Sequence, residues 1–240
     1  MSMKNHPQMK IGIMQPYFFP YIGYWQLFSC VDRYVILDDV NYIRQGWINR
    51  NRILISGKEQ YINVYLRGAS QNKRINEVLI GDRGKTIKNL DTIRYAYGKA
   101  PYFREVYPLI KSAISAESDN VAEYNGNILN VIGEYLGIDT SVYYSSELKK
   151  NSNLTGQDRI IEICKLLDGD MYINAIGGKK LYDRGAFAKQ GIELRFLESE
   201  LLIYPQFGNE FVPNLSIIDV LMFNSLNDIK EMLTRYKLKE

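Results

Sequence analysis

Apolar positions along this chain follow two rhythms. Short runs rich in β-branched and aromatic residues, bounded by polar or turn-forming residues, predict strands over Lys10–Met14, Tyr34–Leu37, Thr140–Tyr144, Met171–Ala175 and Ile192–Phe196. Between them, apolar residues at helical spacing predict helices over Ile22–Val31, Gly84–Tyr97, Tyr102–Ala113, Asn120–Leu136, Thr155–Leu167 and Lys179–Gln190. Gly137 is placed to close the Asn120–Leu136 helix, and Thr155 stands at capping-box spacing from Asp158. Arg52–Ile55 and Gln60–Tyr65 flank Ser56-Gly57-Lys58, a hairpin signal that interrupts the alternation. Arg67–Arg74 reads as a loop, Glu77–Ile80 as a short strand, and Ser216–Asn224 as a last helix after Pro213. The sum is an α/β chain: a Rossmann-like, mostly parallel sheet with flanking helices, a β-hairpin and a helical insertion at about 84–136. The first strand, helix and second strand make a βαβ unit with an expected right-handed crossover. Residues 1–9 are expected to form a flexible tail and residues 10–240 a single domain.

Composition narrows the chemistry. Of 240 residues, 30 are Lys or Arg and 27 Asp or Glu, a net charge of +3 that does not point to nucleic acid. No apolar run approaches the roughly 20 residues that span a bilayer, so a cytoplasmic protein is expected. Cys30 and Cys164 lie apart in apolar helical patterns and read as buried free thiols of a reducing compartment. The only histidine is His6, in the tail, which removes Ser-His-Asp, Cys-His and multi-His metal sites within one chain. Any general base is therefore Asp, Glu, Tyr, Lys or water. The 19 tyrosines supply flat amphipathic rings suited to sugars and nucleobases.

The stiffest turn is Gln15-Pro16-Tyr17-Phe18-Phe19-Pro20-Tyr21-Ile22-Gly23-Tyr24, directly after the first strand. Ligands of open α/β sheets bind beyond the carboxyl ends of strands, where this turn sits. Asp38-Asp39 ends the second strand beside it and offers acceptors for a sugar or an ammonium group, or a base if burial raises a pKa. The structural alternative is that one carboxylate caps a turn while the other pairs with Arg44 or Arg50. Arg44 through Arg52 gathers guanidinium groups, Asn49, Asn51 and the indole of Trp47, suited to a diphosphate with its base or sugar. Gly177-Gly178-Lys179 follows a strand and opens a helix pattern, the setting of a weak phosphate site without P-loop spacing. In the last segment, capping explains Ser216 and Asp219, whereas Gln206 and Asn214 have no local explanation.

In this order, these stretches resemble the WbqC-like family, from Lys10 to about Ile229. The resemblance rests on Gln15-Pro16-Tyr17 with Pro20 and Gly23-Tyr24, on Leu37-Asp38-Asp39-Val40, on Gly46 through Arg52, on Tyr204-Pro205-Gln206, and on Phe211-Val212-Pro213 through Asp219. It implies a role in bacterial O-antigen (lipopolysaccharide) or other surface-glycan synthesis, with acyl or glycyl transfer to an amino sugar. Some relatives carry His where Met14 stands here, and with that His the turn resembles the loop of adenylating enzymes of the nucleotidylyltransferase superfamily. Its absence puts His-dependent adenylylation in doubt for this chain.

The combined expectation is amide formation on a nucleotide-linked amino sugar. Gln15, Tyr17, Tyr21, Tyr24, Trp47, Tyr204, Gln206 and Asn214 would bind the substrate, and Arg50 and Arg52 its pyrophosphate. Asp38 or Asp39 would take the amine proton and Asn49 and Asn51 would hold the oxyanion. The acyl donor is either an ATP-activated amino acid near Gly177, Gly178 and Lys179, with Mg²⁺, or a thioester; no protein metal ligand set is expected. The alternatives are a non-catalytic sugar-nucleotide or glycan-binding module, or an interaction partner of glycan-synthesis enzymes.

Overall fold

The apolar runs are strands because both faces of the sheet are covered, which demands near-continuous hydrophobic sequence. The structure, a computed structural model, describes residues 8–208 and 210–240; the expected tail and His6 fall largely or wholly outside them. In chain order the elements are β1 (Lys10–Met14), α1 (Ile22–Ser29), β2 (Arg33–Ile36), β3 (Arg50–Ile55), β4 (Lys58–Asn63), β5 (Leu66–Arg67) and β6 (Leu79–Ile80). They continue with α2 (Arg83–Ile87), α3 (Asn89–Tyr97), α4 (Phe103–Ser115), α5 (Val121–Leu136), β7 (Ser141–Tyr144), α6 (Gly156–Leu166) and β8 (Met171–Ala175). The last are α7 (Arg184–Ala188), β9 (Glu193–Ser199), α8 (Ile217–Phe223), α9 (Leu226–Thr234) and β10 (Tyr236–Lys239).

Six strands form one sheet in the order β10-β9-β8-β1-β2-β7. The inner pairs are all parallel, with β1 central between β2 and β8, and only β10 runs antiparallel, against β9. Ranked by chain position, the parallel strands read 3-2-1-4-5 from the β7 edge. The order reverses between β1 and β8, the switch point of a Rossmann-like sheet. The mostly parallel α/β architecture expected from the sequence is therefore what the chain adopts.

Alternation along the strands splits the core. Ile11, Ile13, Val35, Tyr172, Leu194 and Phe196 face α6 and α7, while Tyr34, Ile36, Ile173 and Leu197 face a larger core with α1, α3–α5, α8 and α9. Gly12 lies between Ile11 and Ile13, where a Cβ would come within 3.1 Å of the Tyr34 ring and 3.2 Å of Val31. The hairpin β3–β4 turns on Ser56 (φ 50°) and Gly57 (φ 75°), two left-handed residues as a two-residue primed turn requires.

Several elements differ from expectation. The helix expected over Gly84–Tyr97 is two helices, α2 and α3, with Asp82 accepting from the Lys85 amide as the cap. Asn120 caps α5, and Gly137 closes it in the left-handed region at φ 72°, as expected. Thr155 makes no side-chain cap on α6, so that capping box does not form. The helix expected over Lys179–Gln190 is a 3₁₀ turn (Ile176–Leu181) and a separate short α7, because Asp183 accepts from Gly185 and Ala186 and restarts the helix. Ser216–Asn224 is not the last element: α9 follows through a Ser225–Asp228 capping box, and β10 then covers the edge of β9.

Candidate functional site

Beyond β1 the chain leaves the sheet through Gln15–Tyr21, a turn that makes almost no regular backbone ladder. Its carbonyls are held instead by buried side chains from three other segments. Asn51 of β3 donates to Phe18 and Phe19 (3.0 and 2.8 Å), Asn125 of α5 to Pro16 (2.9 Å), and Ser216 to Phe19 (2.8 Å). Phe19 itself is fully buried in the left-handed region at φ 41°. This conformation is unfavourable for a bulky side chain and persists because its surroundings impose it. Tyr24 donates to the Gln15 carbonyl at 3.0 Å and is itself buried, so it shapes the turn from beneath.

The outer side of this turn forms a cavity of about 330 Å³ lined by Tyr17, Pro20, Tyr21, Trp47, Asn51, Arg52 and Asn214. Five expected substrate-contact residues converge here: Tyr17, Tyr21, Trp47, Arg52 and Asn214. The Arg52 guanidinium lies 5.3 Å from the Trp47 ring, whose residue is 37% exposed and keeps a face for stacking. Arg52 also pairs with Glu59 at 2.9 Å and donates to the Asn214 carbonyl at 3.4 Å. Asn214 sits in the left-handed region at φ 57°, which turns its carbonyl toward that guanidinium. Burial raises the phenol pKa of Tyr17, aided by Tyr21, and that of Tyr21, so both stay neutral hydrogen-bonding groups at physiological pH.

Arg50 stands one pleat away on the same face of β3, stacked on Tyr61 at 4.6 Å and donating to the Gln45 carbonyl. Gln15, half-buried, sits at the carboxyl end of β1, outside the lining of this cavity.

The asparagines expected to hold an oxyanion are occupied. Asn51 spends both amide N–H groups on the turn and accepts from the Arg52 amide. Asn49 accepts from Tyr42 at 2.7 Å and donates to Val64. Tyr204 and Gln206 are likewise engaged within the protein. Both bond to the fully buried Asp219, at 2.8 and 2.7 Å, which also accepts from Tyr97 at 2.8 Å. Gln206 further clamps Val212 in both directions, fixing the loop that presents Asn214. Burial raises the Asp219 pKa, opposed by the bonds from Tyr204, Tyr97 and Gln206. Its capping spacing hides this role: Ser216 does cap α8, but the Asp219 side chain serves tertiary partners.

The two carboxylates at the end of β2 part company. Asp38 accepts from the Ser146 hydroxyl and amide (2.6 and 2.9 Å) and from Asn76 (3.2 Å), and borders a polar cleft of about 450 Å³ with Arg74, Glu123 and Tyr144. Asp39 instead pairs with Lys150 at 2.8 Å and lies 3.8 Å from Arg159, all three nearly buried; neither Arg44 nor Arg50 is its partner. Burial pushes the Asp39 carboxyl up, but the hydrogen bond from Lys150 and the charges of Lys150 and Arg159 outweigh it and hold the pKa below the ordinary value. A depressed carboxyl stabilises the fold above its unfolded pKa near 3.8, and that contribution is lost as pH falls through the lower folded value. Lys150→Met removes the nearest cation from the carboxylate, and the expected loss is about 3 kcal/mol at pH 7, shrinking toward acid pH as the carboxylate takes up a proton. Urea titrations between pH 3 and 8 check both effects.

The aromatic cavity and the Asp38 cleft share no lining residue. Gly177, Gly178 and Lys179 lie outside both, in the 3₁₀ turn, with Gly178 packed on the Asn174 side chain. A hollow of about 860 Å³ lies at the opposite, amino-terminal ends of β8 and β9, between Asp170, Glu193 and Arg184. Cys164 is a buried free thiol and Cys30 a half-buried one, with burial raising their pKa values to about 12 and about 11. Among the described residues, no group of three or more His, Cys, Asp or Glu is arranged to hold a metal, and no helix is long and apolar enough to cross a membrane.

Sheet order and braced turn define a Rossmann-like α/β protein with an aromatic–guanidinium cavity beside the first strand. The WbqC-like protein family matches residues 15–231, and the chain belongs to that family. It is also similar to the uncharacterized protein Rv1507c of Mycobacterium tuberculosis (strain ATCC 25618 / H37Rv), with 28% identity over 218 residues, 90% of this chain and 93% of that one. No solved structure matches the chain.

Proposed function

We propose that this protein transfers an acyl or aminoacyl group, such as glycyl, to the amine of a nucleotide-linked amino sugar in bacterial O-antigen or other surface-glycan synthesis. The observation that carries the reading is the cavity in which Tyr17, Tyr21, Trp47, Arg52 and Asn214 meet. An indole face, a guanidinium and neutral phenols suit a base or sugar with an attached diphosphate. In this reading Asp38 takes the amine proton, since an ammonium has no lone pair to attack with, and Asp38 is the member of the pair that borders a cleft. Asp39, Asn49 and Asn51 then act as positioning residues. The donor is an ATP-activated amino acid or an acyl thioester. The Lys150 ammonium already occupies the place beside Asp39 that a cation would take, so no step runs through a protein-bound Mg²⁺.

A second reading is a sugar-nucleotide-binding module without catalysis. It is favoured by the separation of the Asp38 cleft from the aromatic cavity. Incubation with uridine- and thymidine-diphosphate amino sugars, ATP and glycine or acyl-CoA, read by mass spectrometry, separates the two. Transfer yields an acylated sugar nucleotide, and Asp38→Asn then keeps sugar-nucleotide affinity while turnover drops about 10²-fold or more. Binding without product in any donor combination supports the module.

A further inference from the structure

Arg50 and Arg52 project from the same face of β3, two residues apart, which separates their attachment points by about 7 Å. Each guanidinium lies over an aromatic ring, and each has a buried Nε–H with no hydrogen-bond partner. Buried donors are almost always satisfied, so two neighbouring orphans on one strand face are informative. The Glu59 pair does not cure the deficit. Both Glu59 oxygens contact the same nitrogen, Nη1 of Arg52, at 2.9 Å, rather than forming the two parallel bonds of a fork. Nη2 meets only the Asn214 carbonyl, at 3.4 Å. The carboxylate is 39% exposed and reaches Arg52 diagonally across the hairpin, so it can swing away without disturbing the strand pairing.

We propose that Glu59 is a resident competitor that holds the place of a ligand anion on Arg52, so that a diphosphate binds by exchange with it. Displacement frees Arg52 to turn its Nε–H and Nη donors onto phosphate oxygens, and Arg50 supplies a second set one pleat away. A ligand with two charged phosphates replaces the carboxylate more readily than one with a single phosphate. Glu59 thereby sets selectivity for nucleoside diphosphates over monophosphates. This inference rests on the reading of the aromatic cavity as the sugar-nucleotide site.

The test is calorimetric titration of the protein, Glu59→Gln and Glu59→Ala with uridine and thymidine mono- and diphosphates at low and high salt. Both variants alter an exposed hairpin position, and thermal melts check that they fold. The expected result is diphosphate binding about three- to fivefold tighter in both variants at low salt, converging with the parent at high salt, and a smaller preference for diphosphate over monophosphate. Affinity in the variants equal to or below the parent would overturn the exchange role while leaving the cavity reading intact. No binding of any of these nucleotides to parent or variants would overturn the cavity reading and this inference together.

Discussion

Asp219→Ala is expected to lower the stability of the fold by about 3–5 kcal/mol. The substitution leaves two buried donors, the Tyr97 and Tyr204 hydroxyls, without the acceptor they share, and takes one partner from the half-buried Gln206 amide. Tyr97 in turn accepts from the Leu54 amide, so the damage passes from α8 to α3 and β3. Chemical denaturation at pH 7 measures the loss. The pH dependence has a definite sign: burial raises the Asp219 carboxyl, so its contribution is full below the unfolded value near 3.8 and declines as pH rises through the folded one. Asp219→Asn, which keeps an acceptor and drops the charge, should therefore lose less than alanine and flatten this part of the stability profile.

The second large effect concerns ligand. Trp47→Ala removes the exposed stacking face of the aromatic cavity and the ring on which Arg52 rests. Aromatic stacking on a base is worth about 1–3 kcal/mol, so sugar-nucleotide affinity should fall by about 10- to 100-fold. The fold should hold, because Trp47 lies at the surface and the turn beneath it is tied down by other residues. Titration with uridine- and thymidine-diphosphate sugars, alongside a thermal melt, separates the two quantities. An affinity unchanged by this substitution would remove the cavity from the proposed site.

The strands were legible in the sequence because burial on both faces leaves a plain mark, and the Ser56-Gly57 turn because left-handed residues are few. What escaped is tertiary. Asp219 carries a ready local explanation in its spacing from Ser216, and that explanation conceals a partner 122 residues away. Asp39 suggested the arginines nearest in sequence, whereas Lys150 and Arg159 approach from the segment after β7. The Lys179–Gln190 pattern keeps helical apolar spacing, yet Asp183 competes for the backbone N–H groups and splits it. α9 and β10 leave little mark in the sequence because their buried side chains are few, although Ser225 and Asp228 mark the start of α9. Within the aromatic cavity the residue types were legible, since Trp and Arg in one loop are uncommon. The division between groups that face the cavity and groups that brace it was not. Asn51 and Arg52 are neighbours that both line the cavity, yet the Asn51 amide is spent on the turn while the Arg52 guanidinium lies over Trp47, and only the strand pleat separates them.

The braces on the Gln15–Tyr21 turn also fix when it can form. They join residues 32, 109 and 197 positions apart in the chain. Each loop must close before its bond can exist, and closure over long separations is the slow part of folding. The aromatic cavity is therefore expected only in chains where these long-range contacts have formed. During refolding, ligand affinity should return in step with the slowest phase, after most of the helical signal has recovered, which makes binding a reporter of completed folding.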